Sequence, residues 1–196
     1  MLEPEKPQLK MVWSPANLTD ILERAVPAGY RLQQCTEQAE SSFVALMADC
    51  GWEFDQERLN YCRSRLLPDG WFAITESDSS TIVASAMSLH NYTGRSTFAG
   101  TLGWVGCLRE HRGRGLGAVV VAAATARLLE RGYHHVELYT EYFREPAIAT
   151  YFRLGYVPYL YNADVEQLWQ EVCEGIQQPF TPEDWPRGNN AYPKNP

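Results

Sequence analysis

Between Cys107 and Gly117 the chain reads Cys-Leu-Arg-Glu-His-Arg-Gly-Arg-Gly-Leu-Gly, and an Ala/Val/Leu-rich run follows to Leu129. A glycine-rich, basic turn therefore opens directly into a helix, and the chemistry that suits it is anion binding. The first N–H groups of a helix lack intrahelical acceptors and the aligned peptide dipoles leave partial positive charge there, so an anion gains roughly 0.3–1 kcal/mol at that end. Gly113, Gly115 and Gly117 have no Cβ, which lets the backbone take positive φ angles and come close to phosphate oxygens. Arg112 and Arg114 add charge-assisted donors that stay ionised at any working pH.

The elements that position this turn are legible around it. Thr101 to Leu108 reads as a strand that delivers the turn, and Gly115 to Glu130 as the helix it opens, apolar nearly all round and ended by Gly132. Upstream, Tyr30 to Cys35 alternates like a strand. Thr36 caps a helix from Glu37 to Cys50 ended by Gly51, and a second helix runs from Asp55 to Leu67, stopped by Pro68. Trp71 to Glu76 and Thr81 to Leu89 form an antiparallel hairpin. Downstream come a core strand at Val136 to Thr140, a helix opened by Pro146 and running from Ala147 to Leu154, a strand from Tyr156 to Tyr161, and a helix from Asp164 to Gln177. Residues 1–28 are proline-spotted, with one short helix expected near Asn17 to Ala25. The Pro/Asn-rich tail from Pro179 reads as irregular.

Composition bounds the rest. The 196 residues suit one domain, 45% apolar and 21% charged residues are globular values, and no apolar run approaches the roughly 18 residues of a membrane span. The opening MLEPEKPQLK lacks the apolar core of a secretory signal, so a soluble cytoplasmic protein is expected. The net charge of −7 disfavours a nucleic-acid partner. Five dispersed cysteines with no CxxC pair argue against a disulfide framework and a zinc site, so no metal is expected.

Arg112-Gly-Arg-Gly115-Leu-Gly117 and, in register further on, Ala147-Ile-Ala-Thr-Tyr151-Phe-Arg-Leu-Gly155-Tyr156 resemble two motifs of the GNAT superfamily of acyl-CoA-dependent N-acyltransferases. The resemblance covers about residues 30 to 161. It implies an α/β (α+β) fold with a mixed, mostly antiparallel central sheet of six or seven strands flanked by helices. The corresponding division is an extension over 1–28, an acetyltransferase domain over 29–162, and a helix with an irregular tail over 163–196. It further implies that Cys107, Leu108, Arg112, Gly113, Arg114, Gly115, Leu116 and Gly117 hold coenzyme A, with a backbone N–H near Cys107 polarising the thioester carbonyl. Acetyl-CoA is then the co-substrate. The acceptor is a small-molecule or peptide amine, no membrane is involved, and a homodimer stays open. This chain has Cys107 and Arg109 where many members carry Val-x-Pro, and Arg144 where Asn is frequent.

The resemblance suggests direct attack of a neutral amine on the acetyl thioester, which needs a proton acceptor for the ammonium and an acid for the departing thiolate. Tyr151 is the candidate acid, because a phenol with a pKa near 10 lies close to an alkyl thiol. Glu141, just past a strand end, is the first candidate base, with Glu76 and His90 behind it and a water chain as the alternative. Trp52, Phe54, Trp71 and Trp104 either line an acceptor pocket or belong to the core. His111, His134 and His135 read as exposed loop residues. Two other functions stand beside this one. A non-catalytic acyl-CoA-binding module would keep the loop and lose the chemistry. A dinucleotide-binding oxidoreductase needs a third glycine where Val120 stands.

Overall fold

The computed structural model describes residues 7–14, 22–94 and 96–188. Among the described residues there are seven strands, mostly antiparallel, and five α-helices, the mostly antiparallel arrangement with flanking helices that the resemblance implied. The chain divides into two compact units, Pro15–Glu137 and the pairing of Met1–Ser14 with Leu138–Pro196. The short helix expected near Asn17 to Ala25 falls largely outside the described residues.

In the unit Pro15–Glu137, β2 (Tyr30–Gln34), β3 (Leu66–Glu76), β4 (Ile82–His90) and β5 (Ala99–Cys107) pair in that order, each antiparallel to the next. Helices α1 (Glu40–Asp49) and α2 (Gln56–Arg65) lie over one face, and α3 (Leu116–Glu130) over the other. Strand alternation explains the division. Trp71, Ala73, Met87 and Leu89 point into a cluster with Phe43, Leu46, Met47 and Cys62, whereas Ser88 points oppositely and donates from Oγ to Ala124 O at 2.8 Å. Eight of the nine residues of β4 are buried, as a strand covered on both faces requires.

Two boundaries differ from the sequence reading. Thr36 precedes a 3₁₀ turn (Glu37–Ala39) without making a capping bond, and α1 begins only at Glu40. Helix α2, capped by Asp55 Oδ1 on Arg58 N at 2.7 Å, ends at Arg65, and the chain enters β3 at Leu66 rather than stopping at Pro68. A register break between Leu66 and Trp71, with Asp69 at φ 55°, absorbs the proline by removing that stretch from the ladder.

In the other unit, β1 (Leu9–Trp13) pairs antiparallel with β7 (Tyr156–Pro158), Trp13 opposite Tyr156. All five residues of β1 are buried, although the sequence reading had assigned this stretch no strand. Strand β6 (His135–Thr140) ends in this unit, followed by α4 (Glu145–Arg153) and α5 (Ala163–Ile176). Val165, Leu168, Trp169, Val172 and Cys173 form one buried helical stripe. The tail is not irregular throughout, because the 3₁₀ turn Pro182–Asp184 leads to Trp185, which is buried and sits 6.2 Å from the Trp169 ring. Asn162 caps α5, accepting at Oδ1 from Val165 N at 2.8 Å. Asn162→Ala is expected to lower stability by about 1 kcal/mol, with Asn162→Asp close to wild type, measured by chemical unfolding.

Candidate functional site

Strand β5 ends at Cys107, one 3₁₀ turn spans Arg109–His111, and the backbone then rises through Gly113 and Gly115 into α3. Gly113 and Gly115 sit at φ 76° and 81°, the left-handed region where any Cβ is strained, and Gly115 is the residue that caps α3 without a side chain. No heavy atom lies within 4 Å of where a Cβ would stand at Gly113, Gly115 or Gly117. That face of the loop is open. Leu116, 1% exposed, anchors the first turn of α3 in the core, while the unpaired N–H groups of that turn remain at its end. The loop thus has the geometry of an anion cradle, and the residues present fit a phosphate group.

The arginines do more than the sequence showed. Arg112 Nε donates to Cys107 O at 3.1 Å and its Nη2 lies 3.9 Å from Asp49 Oδ2, which also accepts from Arg109 N at 3.0 Å. Arg114 donates from Nη1 to Tyr30 Oη at 2.8 Å and from Nη2 to Glu110 O at 3.3 Å. Tyr30 Oη also lies 2.9 Å from His111 Nδ1. The direction of that bond follows the imidazole tautomer: Nδ1 accepts from the phenol when the ring proton is on Nε2 and donates to the phenol oxygen when it is on Nδ1. His111 is therefore part of the loop's bracing rather than a free loop histidine. Both guanidinium groups thus have partners on the loop and on α1 or β2.

Asp49 and Tyr30 were missed by sequence reasoning, and no local signal marks them. They are brought in by α1 and β2. Close approach of α1 to β5 depends on Gly106, where a Cβ would come within 2.5 Å of Met47 Cε and 3.2 Å of Cys50 Sγ. Upstream of it, β5 carries a bulge between the pairs Ser85 with Gly106 and Met87 with Gly103, and there Trp104 takes φ 52°. A bulky residue at positive φ is strained, and such strain concentrates at functional sites. Burial pushes the Cys107 thiol up to about 11, so it is protonated at neutral pH. Of the four aromatic residues singled out, Trp71 is core, donating from Nε1 to Ser85 Oγ at 3.0 Å. Trp52 and Phe54 pack edge-on against Trp104, with ring centroids 5.6 and 4.3 Å away, and are only partly buried.

Tyr151 and Glu141 belong to the other unit. Tyr151 is on α4, 5% exposed, its ring 6.1 Å from that of Tyr156. Burial pushes its phenol well above the ordinary tyrosine value, opposed by the nearby Arg144 charge and reinforced by Glu141. Glu141 follows β6 directly, accepting at Oε2 from Arg144 Nε at 2.6 Å and at Oε1 from Gln8 Nε2 at 3.4 Å. The structure thus places these two residues in one electrostatic neighbourhood. Of the fallback bases, Glu76 ends β3 exposed, and His90 Nδ1 is engaged with Tyr133 Oη at 2.8 Å. His135 is not in a loop but opens β6, its Nε2 3.1 Å from Oε2 of the buried Glu137. Among the described residues there is no cluster of three or more metal-ligating side chains, and no helix is long and apolar enough to cross a membrane.

Comparison with known proteins accords with this geometry. Over 52 residues the chain is 42% identical to mycothiol acetyltransferase of Corynebacterium aurimucosum, an alignment covering 26% of this chain and 17% of that protein. The chain therefore spans about a sixth of the length of the curated relatives it matches. Among solved structures, a GCN5-related N-acetyltransferase from Sphaerobacter thermophilus matches with a TM-score of 0.60 at 22% identity, over 77% of this chain and 48% of that one. One from Kribbella flavida matches with a TM-score of 0.54 at 25% identity, over 77% and 54%. The sequence model of the acetyltransferase (GNAT) family matches residues 30–156, from the start of β2, through the anion loop, to the start of β7. Since that match takes in most of the chain, the protein belongs to the acetyltransferase (GNAT) family.

Proposed function

We propose that this chain transfers an acetyl group from acetyl-CoA to a primary amine by direct attack. The observation that carries the reading is the open loop at the start of α3, with Gly113 and Gly115 in left-handed conformations and both flanking arginines braced. Backbone N–H groups of Gly113 to Gly117, with Arg112 and Arg114, would hold the pyrophosphate, Leu116 would fix the helix start, and the backbone at Cys107 and Leu108 would meet the thioester end. In the reaction the amine nitrogen bonds to the carbonyl carbon, the tetrahedral intermediate collapses, the C–S bond breaks, and the thiolate takes a proton from Tyr151.

Glu141 is the proposed acceptor of the ammonium proton. A carboxylate has about four lone-pair sites, and Arg144 and Gln8 use two of them. Glu141→Gln is expected to lower the rate about 10- to 100-fold at neutral pH, read from thiol release at saturating acetyl-CoA. An unchanged rate assigns the role to water. The acceptor is a small-molecule or peptide amine, for which the partial likeness to mycothiol acetyltransferase offers a small-molecule starting point. Five free thiols suit a reducing, cytoplasmic setting. The test is thiol release from acetyl-CoA across a panel of small amines, amino sugars and peptides. Acetyl-CoA binding with no release for any amine would favour a non-catalytic binding module instead, and thermal stabilisation by NAD alone would remove the transferase reading.

A further inference from the structure

A cavity of about 370 Å³ lies within the unit Pro15–Glu137, between α2 and the start of β3, and none of its lining residues belongs to the anion loop. Its volume is in the range of small-ligand sites. Leu59, Leu66, Trp71 and Met87 give it an apolar interior. Cys35 and Cys62 also line it, and burial pushes both thiols up to about 11, so they are neutral at working pH and add no charge.

Charge enters only at the rim, where most of it is already cancelled. Glu40 is held by Arg63 through both carboxylate oxygens. Asp69 lies 3.6 Å from Arg127 Nη1 and 3.7 Å from Arg131 Nη2. Glu37 is exposed and has no ion pair among the described residues. Beside it, Thr36 stands at the rim with a hydroxyl that makes no capping bond. Glu37, offset only by the Arg63 charge that also holds Glu40, and the Thr36 hydroxyl therefore border an apolar hollow. We propose that this cavity is a binding site, separate from the anion loop, for a small molecule that has an apolar body and a single cationic nitrogen. The apolar body displaces water from the interior, and the ammonium is received at Glu37 and Thr36.

The test uses the full chain without acetyl-CoA, so that its outcome is independent of the transferase reading. Three probes of one shape are titrated by calorimetry and tryptophan fluorescence: 2-phenylethylamine, the neutral 2-phenylethanol and the anionic 3-phenylpropionate. The amine should bind saturably and at least about tenfold more tightly than the alcohol, with the acid weakest. Glu37→Gln, a change on the exposed rim that leaves the core intact, should bring the amine to the alcohol's affinity. Leu59→Trp should fill the hollow and abolish amine binding while acetyl-CoA affinity is retained. The proposal is overturned if no probe saturates, if amine and acid bind alike, if Glu37→Gln leaves the amine's advantage intact, or if a folded Leu59→Trp protein still binds the amine.

Discussion

Gly115→Glu is expected to weaken acetyl-CoA binding by about a hundredfold or more, the largest single effect on donor affinity. Two costs add. At φ 81° a side chain forces either left-handed strain, roughly 1–2 kcal/mol, or a shift of the backbone that misdirects the N–H groups at the start of α3. A carboxylate at that position also faces the incoming phosphates, a like-charge contact of a few kcal/mol at most before screening. A hundredfold loss corresponds to only about 2.7 kcal/mol. Gly115→Ala isolates the backbone share and is expected to lose about tenfold. Because nothing beyond the adjacent residues lies within 4 Å of the added Cβ, Gly115→Ala adds no packing clash, and calorimetric affinity is the direct readout. Unchanged affinity for Gly115→Glu would remove the loop from the donor site.

Tyr151→Phe is expected to lower turnover about 10²- to 10⁴-fold while acetyl-CoA affinity stays within a factor of about two, the range that positioned acid catalysis supplies. The hydroxyl is deleted and the buried ring retained, so the packing against Tyr156 survives. The pH dependence follows from the sign of the shift. Burial raises the phenol above the ordinary tyrosine value, hence Tyr151 stays protonated through neutral and mildly alkaline pH, and the loss of the acid appears only above pH 10. The same shift links to stability. With the folded-state value raised above the unfolded one, the contribution of neutral Tyr151 is complete below about pH 10 and is lost as pH climbs toward the folded value. An unchanged rate in Tyr151→Phe, with chemistry limiting, would take Tyr151 out of the mechanism.

Much of the architecture was legible because it is written in local patterns. Helix α3 was expected over Gly115 to Glu130 and runs over Leu116–Glu130, and α5 was expected over Asp164 to Gln177 and runs over Ala163–Ile176. Both carry their apolar stripes and end signals in adjacent residues. The hairpin of β3 and β4 was legible for the same reason. Strand β1 was not, since Leu-Lys-Met-Val-Trp is buried throughout, does not alternate, and becomes a strand only by pairing with Tyr156–Pro158. Likewise Trp185 has no local reason for burial, which comes from the ring of Trp169 on α5.

The sequence by itself determined the kind of site: glycines spaced to allow left-handed turns, arginines between them, and a helix beginning at once behind. Those features act over a few residues, so their spacing is sufficient to specify them. Only the tertiary structure decided how the arginines are used. Arg112 is braced by Asp49 and Arg114 by Tyr30, partners that stand far off in the chain and become neighbours only when Gly106 lets α1 settle against β5 and β2 pairs at the sheet edge. It also decided that Glu141 is held by Arg144 and Gln8 and that Tyr151 is buried, because accessibility and charge environment are properties of packing rather than of residue order.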